Sequence, residues 1–148
     1  MTSAVRPMAA LLALILLTAF ILTSCPSNRD GKPGQLASAK GKVESACRSG
    51  VLALDQWTVG RSSTLLASAQ LGDARDQVVK AYKGVATLDA QNPTDLDRQQ
   101  FLTASMTTMI ATLNASTALV HSVQHDPGPG VLRQRLPATA DTLARDYH

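Results

Sequence analysis

The sequence predicts an all-α protein, an antiparallel helical bundle of three long helices plus a short C-terminal helix. In three separate stretches apolar residues recur at intervals of three and four, the spacing that lines them along one side of a helix. Nowhere do β-branched or aromatic residues alternate with polar ones as they would in a half-buried strand. The periodic stretches are broken at Gly60, at "NPTDLD" (92–97) and at "HDPGPG" (125–130), and helices joined by such short connections pack antiparallel.

The bundle is preceded by two further segments. Arg6 and the α-amino group lead into Met8 to Leu22, 15 positions holding only Met, Ala, Leu, Ile, Thr and Phe. A positive start followed by an uncharged core of this length is the pattern of a signal peptide, predicting a helix over residues 1–24 that is removed on export. It falls short of the roughly 20 apolar residues that a permanent span requires. Residues 25–34 are rich in Pro, Gly, Ser and charge and predict a flexible tether. Nine residues of such chain reach on the order of 15 to 20 Å. The bundle domain is expected over residues 35–148.

Within it, the first helix presents Leu36, Ala39, Val43, Ala46, Gly50, Leu54 and Trp57 on one side, with Gly41 and Gly50 as soft points. The second presents Leu71, Ala74, Val78, Ala81, Val85 and Leu88, a narrow face of small residues suited to close packing. Its start lies either near Ser62 or at Asp73, because Gly60 and Gly72 both weaken the pattern. The third carries the clearest stripe, Leu102, Met106, Met109, Leu113, Ser116, Val120 and Val123. Asn92 or Thr94 can cap it, Pro93 suits its first turn, Asp95 and Asp97 complement its dipole, and Pro127 with Gly128 ends it. The fourth, Val131 to Tyr147, is expected to be divided by Pro137, with Leu132, Leu136, Leu143 and Tyr147 to bury.

The first segment ends in Leu22-Thr23-Ser24-Cys25, a small-residue pair flanked by leucine and cysteine. This resembles the lipobox of bacterial lipoproteins. The resemblance covers residues 1–25 and implies cleavage between Ser24 and Cys25, a diacylglycerol anchor on the Cys25 thiol, and acylation, such as palmitate, of the new N-terminus. It places the protein at the cell membrane on the extracytoplasmic face. One fatty chain holds a protein only marginally, at about 0.8 kcal/mol per buried methylene, so the two or three chains implied would give stable attachment.

Composition narrows the function classes. Removing residues 1–24 from the 148 leaves 124, enough for one domain with a genuine core, and takes the net charge from +3 to +2 as Arg6 departs. Arg48, Arg61, Arg75, Arg98 and Arg133 are scattered, so there is no basic stripe for nucleic acid. Trp57, Tyr82, Phe101 and Tyr147 are the aromatics beyond the first segment, and the core must rely on Ala, Leu, Val and Met. With Cys25 lipidated, Cys47 stays a thiol, read as a small buried hydrophobe beside Ala46. Without lipid, a retained N-terminal anchor would leave Cys25 able to pair with Cys47.

Candidate chemistry is sparse. In "HSVQH", His121 and His125 stand four apart on one helix face and could share a metal ion if Asp126, Cys47 or His148 completed the set. Imidazoles near a helix C-terminus are equally explained by the free carbonyls and the dipole there. The H-E-x-x-H, G-x-S-x-G and S-x-x-K patterns are missing, as are phosphate-cradling glycine loops. The pairs Asp73 with Asp76 and Asp95 with Asp97 fall at expected helix starts, where carboxylates stabilise the dipole. Met106, Met109, Ile110 and Phe101 read as core filling rather than a greasy groove, and Trp57 as a core plug rather than an exposed anchor. The sequence thus favours a non-enzymatic, membrane-anchored interaction module without cofactor, whose partner is an envelope protein or other envelope component. The alternative is an envelope lipoprotein that carries a small ligand or a metal through His121 and His125.

Overall fold

The computed structural model describes residues 31–122 and 128–147, which form four α-helices: α1 (Gly31–Thr58), α2 (Thr64–Ala86), α3 (Pro93–His121) and α4 (Pro129–Asp146). Among the described residues there is no strand. The expected signal helix, Ser24, Cys25, the tether as far as residue 30, His125 and His148 lie outside them. Residues 31–34, assigned above to the tether, belong to α1. Pro33 stands in the first turn, where its missing N–H removes no helix bond.

Helix α1 runs antiparallel to α2 and to α4, as cross-links at both ends of the bundle show. Lys32 at the start of α1 donates to the Asp89 carbonyl just past the end of α2. Trp57 at the end of α1 stands beside Thr64 at the start of α2, its Nε1 3.4 Å from the hydroxyl. Asp55 near the end of α1 meets Arg133 near the start of α4, whereas Lys40 near the start of α1 faces Tyr147 past the end of α4. α1 touches all three other helices, and α2 and α4 lie on opposite sides of the α1/α3 pair.

The apolar stripes converge on one core. Leu36, Val43, Ala46 and Leu54 from α1, Leu71, Ala74, Val78 and Val85 from α2, and Leu102, Met106, Met109 and Leu113 from α3 are all fully buried. Ser116, on the same stripe, is also buried, its Oγ donating to the Thr112 carbonyl at 2.9 Å. That bond allows a hydroxyl to occupy an apolar position, since a buried polar group is costly only when unsatisfied. Cys47 and Ala53 extend the buried face of α1 beyond the expected row, with Cys47 turned toward α4. Gly50 makes α1 and α3 close neighbours, because a Cβ there would lie 2.7 Å from Leu113 Cδ2.

The helix ends follow local chemistry. At the end of α1, Gly60 takes φ +71° while Arg61 N–H donates to the Gln56 carbonyl at 2.8 Å and Gly60 N–H to the Trp57 carbonyl at 3.0 Å. This is a Schellman ending, which requires the left-handed conformation that glycine adopts freely. The second helix starts at Thr64, nearer the first of the two expected positions, with the Ser63 hydroxyl accepting from Leu66 N–H. At α3, Asn92 accepts from Asp95 N–H and donates to the Asp95 carboxylate, both at 2.7 Å.

Two expectations are corrected. Asp73 and Asp76 do not stand at a helix start, since α2 begins nine residues before Asp73; Asp76 instead pairs with Arg75 at 2.7 Å. And α4 is not divided, running through Pro137 to Asp146. An interior proline costs about 3 kcal/mol. Burying Leu132 and Leu136 on one side of it and Leu143 on the other recovers roughly 1.5–3 kcal/mol for each, so packing outweighs the break.

Candidate functional site

His121 lies exposed in the last turn of α3, at the dipole's negative end. Among the described residues no three His, Cys, Asp or Glu side chains gather into a set that could hold a metal ion. Cys47 is 0% exposed and its Sγ lies 3.1 Å from the Leu136 carbonyl. Burial pushes its thiol from 9.0 up to about 11, with the negative charge of Asp141 adding to the rise. A thiol so enclosed is a poor nucleophile and a poor ligand, since both roles belong to the thiolate. It behaves as the small buried hydrophobe that the sequence suggested.

The remaining candidates resolve structurally. Met106 and Met109 are wholly inside the core, and Phe101 and Ile110 pack partly buried against it. Trp57 is half-buried, plugging the end of the bundle at the α1–α2 turn. Asp95 is buried within the α3 cap and 3.8 Å from Arg98, while Asp97 is exposed, so these carboxylates do not converge on a common point. Tyr147 is clasped between Lys40, 5.5 Å from its ring centre, and Arg98, at 5.8 Å. Burial raises its hydroxyl pKa, with Arg98 opposing and Asp95 reinforcing the shift.

Two surface features stand out among the described residues. One is an apolar tip where the α1–α2 turn leaves Val59, Leu65 and Leu66 exposed, Leu65 by 79%. The other is a groove of about 460 Å³ along the α1/α2 seam. Its floor is Ala39, Ala81, Gly84, Val85 and Leu88, and Lys42 from α1 and Lys80 from α2 stand on its two walls. No carboxylate and no aromatic ring lines it. Neither lysine has an ion-pair partner among the described residues. Sequence reading missed this groove because its lysines are 38 positions apart. The available signal was that each lysine borders a small-residue helix face, at Ala39 and at Ala81.

Comparison of the chain with protein-family models, with curated proteins and with solved structures finds no match.

Proposed function

We propose that this protein is a lipoprotein of the cell envelope, held by acyl chains on Cys25 at the extracytoplasmic face of the membrane, whose helical bundle is a non-enzymatic interaction module. The observation that carries this reading is the 15-residue uncharged segment ending in Leu22-Thr23-Ser24-Cys25. Two properties of the bundle support it. Its apolar stripes are spent on its own core, and no described helix is long and apolar enough to cross a membrane, so the bundle itself offers no span.

The test is the mass and detergent partitioning of the full chain and of Cys25→Ala, expressed in a bacterium. The wild-type product is expected to begin at Cys25, carry the added mass of its acyl chains and enter the detergent phase. Cys25→Ala should stay uncleaved at that point and gain no lipid mass. Wild-type protein recovered with an unmodified Cys25 would sink the proposal.

A further inference from the structure

We propose that the α1/α2 groove binds a single-chain anionic lipid, its alkyl chain along the small-residue floor and its headgroup carboxylate between Lys42 and Lys80. The proposal goes beyond the anchoring reading by naming a ligand, and rests on it only for where that lipid is met.

The chemistry of the lining selects the ligand class. At about 460 Å³ the groove falls within the ordinary size range of small-molecule sites. Ala39, Ala81 and Gly84 keep its floor shallow in side chain, and a Cβ placed on Gly84 would meet nothing within 4 Å. A slender flexible chain can therefore lie close to both helix backbones and cover the half-buried Leu88. Without aromatic side chains the groove gives no stacking surface for a nucleobase, a sugar or a planar cofactor.

Charge then sets the sign. Lys42 and Lys80 face the groove from opposite walls, and no carboxylate lines it to neutralise them. Ser38, Gln35 and Gln77 add uncharged polar groups at the rim. A cationic ligand is disfavoured by both lysines, and a neutral chain leaves them unused. Lysine ammoniums act as point charges without arginine's bidentate fork, which suits a small anionic headgroup.

Position supports a membrane-derived ligand over a peptide. Gln35 is ten residues from Cys25, and ten residues of chain span at most about 35 Å. In the anchored protein the groove is thus held near the bilayer. An acidic helix from a partner would need more apolar area than the floor offers between Ala39 and Leu88.

The test uses the full-length chain with neutral phosphatidylcholine vesicles and a palmitate bearing a photoactivatable diazirine, with adducts mapped by mass spectrometry. Adducts are expected on the peptides containing Ala39 and Ala81–Leu88. The K42Q/K80Q variant should label about tenfold less, the product of two exposed charge contacts. Both lysines are exposed, so the variant should retain its fold, and circular dichroism checks this. Gly84→Trp, which fills the floor while keeping both lysines, should lose labelling to a similar degree. The diazirine-bearing alcohol of equal chain length should label no better than K42Q/K80Q does with palmitate. Equal labelling of wild type and K42Q/K80Q, equal labelling by acid and alcohol, or adducts centred on Val59, Leu65 and Leu66 would overturn the proposal. Intact mass from the same samples reports lipid on Cys25 independently. A lipidated chain whose groove stays unlabelled sinks the groove alone, and a labelled groove on an unlipidated chain sinks the anchor alone.

Discussion

Gly50 and Gly72 show how one residue type carries opposite consequences at two positions. At Gly50 a side chain would collide with Leu113, itself fully buried, so Gly50→Leu should destabilise the bundle by about 2–3 kcal/mol through overpacking, read as a lower denaturant midpoint. A Cβ at Gly72 meets nothing within 4 Å, so Gly72→Ala should stabilise by about 0.5–1 kcal/mol, the usual difference in helix propensity. Cys47 supports a prediction in pH. Its thiol titrates at about 11 when folded, against 9.0 ordinarily, so folding holds the proton more tightly than the unfolded chain does. Between those two values the unfolded state has lost the proton and the folded state has not, and stability must fall as pH rises. The loss attributable to this group is at most about 2–3 kcal/mol. Urea titrations at pH 8.5 and 10.5 should show a smaller decline for Cys47→Ala than for wild type. An equal decline in both would show that other groups cause it.

At the scale of elements, termini and connections decide more than interiors do. Gln99 on α3 donates from its Nε2 to the carbonyls of Val85 at 2.7 Å and Leu88 at 2.8 Å, closing the end of α2 from a neighbouring helix. Gln99→Glu replaces that donor with an acceptor and sets a negative charge at the negative end of α2. It should cost about 2 kcal/mol, roughly double Gln99→Ala, in thermal or urea unfolding. Pro137 offers the reverse case. Pro137→Ala supplies the missing N–H within a helix whose flanking leucines are already packed. The variant should gain about 1–2 kcal/mol, less than the full proline penalty because the unfolded chain also gains freedom. Helix α3 tolerates its many hydroxyl residues because Thr107, Thr112, Ser116 and Thr117 each donate to the carbonyl four residues back. Their polar atoms are satisfied locally, leaving the apolar stripe uninterrupted.

The whole molecule is a core shared by all four helices rather than a stack of independent pairs. α1 contacts α2, α3 and α4, and the buried leucines of α4 close the side of α1 and α3 away from α2. Removing residues 129–148 should therefore expose apolar surface on both helices. The expected result is a dye-binding, loosely packed state without a sharp thermal transition, while the full chain unfolds in one cooperative step. The clasp of Tyr147 between Lys40 and Arg98 fastens the last residue of that closure to α1 and α3.

Much of this arrangement was legible from residue spacing alone. The rows from Leu36 to Leu54, Leu71 to Val85 and Leu102 to Val120 were readable because a helix of 3.6 residues per turn brings such positions to one side whatever their neighbours are. The resemblance of Leu22-Thr23-Ser24-Cys25 to a lipobox is likewise a matter of adjacent residues, and the proposed anchor rests on it. Other features depended on distant chain segments. The sequence could not show that α4 stays whole through Pro137, that Cys47 turns toward Leu136, that Gln99 closes α2, or that Lys42 and Lys80 share one groove. Each of these joins residues far apart in the chain or weighs a local penalty against burial supplied by another helix, and periodicity within one segment contains no information about either.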